Sequence, residues 1–332
     1  MRLLYIIGNG LDIAHHMSTS YQDFIAHYLR LKTSDEDIQS MKKDIGFHQY
    51  DKWSDLEIGF GQYSSQCATK EIFLKCLTDL KFALKSYLKE ESKKILEYKI
   101  QSYQNFVYPS ALLEPEPKEK YNRYTVYHNT DNVSIDVITL NYTNTLELLM
   151  DYNNAKQSLT KGTILNSIFH IHGTLDDMMV MGVNDSTQIS NSIFAEDEDV
   201  IEDFIKPEYN DACMNNKNVI CQNLIEAADV IVIYGTSLGL SDEKWWRMIG
   251  TRMSTDKYPL LVYLPYDDKK NLYAEPNRLR RWTRDYVANI KKKFDIKLED
   301  KVLSNRICVA INKTLFPIVK NNSVSKVSGT SK

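Results

Sequence analysis

Residues 4–17 read LYIIGNGLDIAHHM: a short apolar run stops at Gly8-Asn9-Gly10, and Asp12, His15 and His16 follow. An apolar run of this length has the character of a strand buried on both faces. Glycines 8 and 10, just past the strand and just before a predicted helix, let the backbone approach an anion closely at the helix N-terminus. The dinucleotide fingerprint wants a third Gly or Ala three residues after the second Gly, where Ile13 stands here. It also wants an acidic residue closing a second strand about 20 residues on. Asp23 falls too early for that, so a hydride-transfer site is a poor match. A tight strand-to-helix turn without a ligand is the structural alternative.

Further strand-like runs rich in Val, Ile, Leu and Tyr lie at residues 135–140, 168–171, 230–234 and 260–264. Gly173 and Gly235 follow two of them as Gly8 follows the first, at the strand ends where α/β sheets put their ligands. The interval between the first run and the second far exceeds a usual crossover, so it reads as an inserted unit. Within it, Ile72, Phe73, Cys76, Leu77, Leu80, Ala83, Leu84, Tyr87 and Leu88 recur at three and four, predicting a helix over about 70–98. Phe24, Ile25, Tyr28 and Leu29 mark another helix, and WSDLE at 53–57 begins a third. Residues 108–132, polar and proline-containing, read as a loop.

Composition bounds the rest. The chain has 332 residues, 43% apolar and 11% aromatic, enough for a packed core of about two domain-sized units. A net charge of −3 with no basic block gives no electrostatic reason to expect nucleic acid. No apolar run approaches membrane-spanning length. The five cysteines, at 67, 76, 213, 221 and 308, form no Cys-x-x-Cys pair, which suits a reduced, cytoplasmic, zinc-free protein.

Three more stretches carry candidate chemistry. In TLNYTNTLE (139–147), Asn141 and Asn144 suit a helix cap, and Asn141 is near enough to the strand end to hold a ribose hydroxyl or a water. In FHIHGTL (169–175), His170 and His172 share one strand face. No third metal ligand follows nearby, and no metal is expected. His172 immediately precedes the turn glycine, where an imidazole can act as a general base. In YGTSLGLSDEKWW (234–246), Gly235, Thr236 and Ser237 offer amides and hydroxyls to phosphate or ribose, and Ser241 suits a helix cap. The outer glycines around Ser237 match a nucleophile elbow, but no histidine follows it, so the α/β-hydrolase order is broken.

Taken in order, IIGNGLDIAHHMSTSYQDF, WSDLE, LNYTNTLE, HIHGTL and IYGTSLGLSDEKWW resemble the AbiH family of bacterial abortive-infection proteins, over residues 3 to about 250. At greater distance the same order resembles the sirtuin-like superfamily. There a Gly-Ala-Gly turn binds the dinucleotide, Thr-x-Asn-x-Asp supplies an asparagine, His-Gly supplies the base, and Gly-Thr-Ser-Leu holds the ribose side of NAD. Those motifs fall on Gly8 to Gly10, Thr139 with Asn141, His172 with Gly173, and Gly235 to Leu238. Asn9 stands in place of Ala and Thr143 in place of Asp. Cys213 and Cys221 are single where the deacylases pair their zinc cysteines, so the resemblance implies an NAD glycohydrolase and not a protein deacylase.

The resulting expectation is a Rossmann-like, sirtuin-like parallel α/β core at residues 1–18 and 133–318, a mainly helical insertion at 19–132, and a disordered tail at 319–332. NAD would bind through Gly8, Asn9, Gly10, Leu11, Asp12, Thr139, Gly235, Thr236 and Ser237. Asn141 would orient ribose or water, and His172 would act as base while the bond between nicotinamide and ribose breaks. The alternative is a module that senses a nucleotide without turning it over and signals to a partner protein. A shared cofactor can be drained only on demand, so the insertion, an oligomeric interface or a partner protein is expected to hold activity back until a phage-derived trigger releases it. The broad apolar stripe of the 70–98 helix adds an expectation of a homo-oligomer.

Overall fold

The computed structural model describes residues 1–128, 130–150, 158–160, 162–213, 216–267, 270, 272 and 274–320. Its strands are β1 (Arg2–Ile7), β2 (Tyr98–Ile100), β3 (Val133–Thr139), β4 (Ser158–Thr160), β5 (Thr163–His170), β6 (Val230–Tyr234), β7 (Leu260–Leu264), β8 (Ile307–Val309) and β9 (Ile318–Lys320). Seven of them form one sheet in the order β4-β5-β3-β1-β6-β7-β8, and β2 pairs with β9 in a small antiparallel sheet. Only β4 runs antiparallel in the large sheet. The chain winds outward from β1 through β3 to β5, then returns to the other side of β1 for β6, β7 and β8. The winding therefore reverses at β1, and a crevice opens there beyond the strand ends.

Alternation along the strands explains the continuous apolar runs. Leu3, Tyr5, Ile7, Val137, Val232 and Val262 pack on one face, while Leu4, Ile6, Ile138, Ile231, Ile233 and Leu261 pack on the other. Both faces are covered, so neither needs polar positions. The five strands expected from sequence are β1, β3, β5, β6 and β7. Strand β8 escaped notice because three residues, Ile307, Cys308 and Val309, are too few to set a pattern.

After the short helix α1 (Gly10–Ala14) come α2 (Tyr21–Tyr28), α3 (Glu36–His48), α4 (Leu56–Tyr63) and α5 (Lys70–Ser92). Ser20, Asp35, Asp55 and Thr69 cap α2 to α5 by accepting backbone amides, each cap contributing about 1 kcal/mol. Phe24, Trp53, Phe60, Phe73, Leu77 and Leu84 make this layer's own core. The stripe of α5 is thus filled within the chain; Phe82, 73% exposed, lies outside it. The predicted helix over 70–98 is α-helical to Ser92 and continues as a 3-10 segment, Lys93–Glu97, before Tyr98 enters β2 and pairs with Lys320 of β9. That pairing extends order into the expected tail as far as Lys320; residues 321–332 lie outside the described residues.

The expected loop at 108–132 is corrected. It holds a 3-10 segment Pro109–Leu112 and the helix Pro115–Thr125. Proline suits a first helical turn, where its missing N–H would have no partner. Helices α6 (Gln104–Val107) and α7 (Pro115–Thr125), with the segment between them, pack on the sheet through Phe106, Leu112, Leu113 and Tyr121, away from the helical layer. Past α8 (Thr145–Met150) and β5, the segment with α9 (Glu198–Phe204) and α10 (Lys206–Ala212) joins the helical layer through Leu175, Met181, Val183 and Phe204. Helices α11 (Lys217–Ala227), α12 (Glu243–Met253) and α13 (Leu279–Lys293) cover the remaining sheet face. None of the described helices is long and apolar enough to cross a membrane.

Candidate functional site

The ends of β1, β3, β6 and β7 supply one wall of a cavity of about 680 Å³, and Tyr21, Gln22, Asp55, Glu57, Leu84 and Leu88 of the helical layer supply the other. The turn after β1 owes its glycines to the neighbouring strand. The Gly8 amide donates to Tyr234 O at 2.9 Å, Gly10 to Gly235 O at 2.7 Å, and Leu11 to Gly8 O at 3.0 Å. Gly235 has φ +64°, a backbone conformation that favours glycine. These three amides are already bonded within the chain and do not form a free anion cradle. Asn9 latches the chain as it leaves for α2, accepting from Thr19 Oγ1 at 2.6 Å and donating to Thr19 O at 3.0 Å.

Asp12 is buried yet faces the cavity. Thr143 Oγ1 donates to its Oδ2 at 2.7 Å, and Asn141 Nδ2 stands 3.5 Å from its Oδ1. Burial raises its carboxyl to about 6, against hydrogen bonds from Thr143, Thr145 and Thr19 that pull the other way. Asn141 also donates to Gly8 O at 3.3 Å and is held by its own amide, which donates to Thr139 Oγ1 at 3.1 Å. Behind it, His170 Nδ1 donates to Asn141 O at 2.9 Å while Nε2 meets Glu147 Oε1 at 2.6 Å.

A second carboxylate group meets at the helical layer. Asp242, in the turn before α12, accepts from His172 Nε2 at 2.8 Å and from Lys206 Nζ at 3.1 Å, both on Oδ1. Lys206 also donates to Glu57 Oε2 at 2.8 Å, and Gly182 N donates to Glu57 Oε1 at 3.1 Å. Burial pushes the Asp242 carboxyl up, but the charges of Lys206 and His172 and their hydrogen bonds outweigh it and hold it well below the usual range. Burial raises Glu57 despite Lys206, and raises Asp55 as well.

A family model described as bacteriophage abortive infection AbiH matches residues 4–264. The chain belongs to the AbiH family. No curated protein matches it.

In this AbiH-family chain the predicted residues Gly8, Asn9, Gly10, Asp12, Asn141, Gly235, Thr236 and Ser237 line this cavity together. Leu11, Thr139 and His172 do not. Leu11 packs into the sheet core, and Thr139 supports Asn141 from below. His172, 3% exposed, stands behind Asp242 with its Nε2 engaged and its Nδ1 without a partner among the described residues. Ser241 does not cap α12; Asp242 occupies that position. Among the described residues, no group of three or more His, Cys, Asp or Glu side chains is arranged to hold a metal ion.

Sequence reasoning passed over Asp55, Glu57, Lys206 and Asp242 as site residues. Asp55 and Glu57 sit in WSDLE and Asp242 in YGTSLGLSDEKWW, where their acidity inside an otherwise apolar or turn-forming stretch was the available signal. Lys206 carried none, because an isolated lysine before a proline reads as surface.

Proposed function

We propose that this AbiH-family chain is a cytoplasmic abortive-infection effector whose cavity takes NAD and cleaves it to nicotinamide and ADP-ribose. The observation that carries the reading is a cavity lined by several carboxylates whose surroundings drive two of them apart: Asp12, held by Asn141 and Thr143 and raised to about 6, and Asp242, paired with Lys206 and His172 and held low. Such a divergence is how a site assigns an acid–base role to one carboxylate and a charge-stabilising role to the other. The six parallel strands have the order of a Rossmann-like dinucleotide fold, third-second-first-fourth-fifth-sixth, and the cavity lies at its switch point. The motif order of the distant sirtuin-like superfamily supports the same ligand.

Nicotinamide leaves as a neutral ring, taking the electron pair of its bond to ribose, so positive charge moves onto the sugar. An acidic cavity lowers the energy of that oxocarbenium-like state, whereas it would oppose an anionic one. Water adds to the sugar carbon, and Asp12 takes its proton. Asn141 orients the ribose hydroxyls or the water beside Asp12. His172 acts through Asp242 and not on water directly. On the β7 side, Tyr266 lines the cavity beside Lys270 and Tyr286, which both meet Asp267, with Ser237 and Thr236 near the β6 end; Tyr266, Thr236 and Ser237 are the groups offered to the phosphates and second ribose.

The test is nicotinamide release by the purified chain, followed chromatographically together with NAD binding by calorimetry. Release that disappears in Asp12→Asn supports the reading. Binding without release assigns the chain to nucleotide sensing through a partner, and neither binding nor release overturns both.

A further inference from the structure

A lysine buried in a protein interior is costly unless its charge is fully paired, and an apolar residue of similar volume is often at least as stabilising there. Lys206 is 5% exposed. It is also fixed at its backbone: its amide donates to Val183 O at 2.9 Å, next to a bridge between Val183 and Ile205. From that anchor the side chain reaches three groups, Glu57 Oε2 at 2.8 Å, Asp242 Oδ1 at 3.1 Å and Ser241 O at 3.3 Å. Glu57 belongs to the helical layer and Asp242 to the turn after β6. Both line the cavity, and Lys206 does not.

We propose that Lys206 is a positioning residue, a buried cation that keeps Asp242 ionised and aimed into the cavity while tying the helical layer, through Glu57, over the same space. This deepens the NAD-cleavage reading and rests on it for its catalytic consequence. The groups that face Asp242 are Lys206 at the start of α10, His172 after β5, Glu57 and Asp55 at α4, Tyr21 of α2 and Tyr142 after β3. Glu57, Asp55 and the two phenols oppose or do not assist a charge on Asp242. Its ionised state therefore depends on Lys206 and on the hydrogen bond from His172. Without Lys206, Asp242 and Glu57 would be two buried carboxylates facing each other, and one of them would take up a proton.

The experiment compares the full chain with Lys206→Met and Glu57→Gln/Lys206→Met, using carbon-labelled aspartate in NMR, with Asp242 assigned by its loss in Asp242→Asn. In the parent protein the Asp242 carboxylate should stay ionised to the acid end of the folded range. In Lys206→Met it should titrate at least about one pH unit higher. Nicotinamide release should fall on the order of 100-fold in kcat with a smaller change in KM. Should Lys206→Met fail to fold, the double variant, set against Glu57→Gln alone, carries the measurement, with Asp242 again titrating higher where Lys206 is lost. An Asp242 titration unchanged by loss of Lys206 overturns the proposal, as does an undiminished kcat in the folded variant. If the parent releases no nicotinamide, the proposed reaction fails on its own, and the Asp242 titration still decides the role of Lys206.

Discussion

Gly10 and Gly235 meet backbone to backbone: the amide of one donates to the carbonyl of the other at 2.7 Å, and a Cβ on Gly10 would stand 2.4 Å from Gly235 Cα. Two turns whose touching glycines are 225 residues apart in the chain are thereby held as one floor under the cavity. The expectation that Gly10 leaves room for a pyrophosphate takes a different form, since the space beside its Cα is filled by the β6 turn. Gly10→Ala should therefore cost stability first, about 1 to 3 kcal/mol, because backbone on the far side cannot shift cheaply. Urea unfolding of the variant measures it. A folded Gly10→Ala protein of unchanged stability that has lost NAD affinity would restore the ligand-contact explanation.

Asp12 gives a prediction with a definite sign. Its folded value of about 6 lies above the model-peptide 3.8, so burying the charged form disfavours folding wherever the carboxyl is ionised. The contribution of this group to stability is full below the unfolded value and is lost as pH rises through about 6. Asp12→Asn should then stabilise the protein at pH 7 by up to about 3 kcal/mol, and the gain should shrink toward pH 4. In the same variant nicotinamide release should fall on the order of 100-fold or more. In the parent, activity should rise with pH through about 6. Thermal unfolding at both pH values, set beside kcat, checks the pair of effects.

Asn141→Ala removes donors to Gly8 O and toward Asp12 while leaving the backbone bond to Thr139 in place. The fold should persist with a loss of about 1 kcal/mol. Nicotinamide release should drop on the order of 100-fold, as expected for one positioned polar group at a reacting centre. Circular dichroism together with a product assay tests this, and full release from a folded variant would remove Asn141 from the mechanism.

The two histidines act at one remove, on different partners. His172→Ala should mimic much of Asp242→Asn, so the double variant should lose less than the sum of the two. His170→Ala should instead weaken the hold on Asn141 and be non-additive with Asn141→Ala. Double-mutant cycles on kcat distinguish the pairs. Additive losses for His172 with Asp242 would make the histidine an independent contributor.

Which strands would form the sheet was readable from residues such as Ile6, Ile138, Ile231 and Leu261, because a strand covered on both faces needs no polar alternation. The helix of the 108–132 stretch was hidden by Pro115 and Pro117, which end helices in most contexts but start one here. The glycine turns and Asn141 were legible for a similar local reason: special backbone shapes and strand ends leave their mark in a few adjacent residues.

The sequence by itself determined a parallel α/β core, the turns at Gly8 to Gly10 and Gly235 to Ser237, and family membership through five ordered motifs. Only the tertiary structure decided that His172 stands behind Asp242, that Leu11 belongs to the core, and that Glu57, Lys206 and Asp242 join across 149 and 36 residues of chain. The physical reason is that periodicity and turn chemistry are local, repeating every two or 3.6 residues. The ionisation of a buried side chain is set by neighbours that the fold brings from anywhere in the chain.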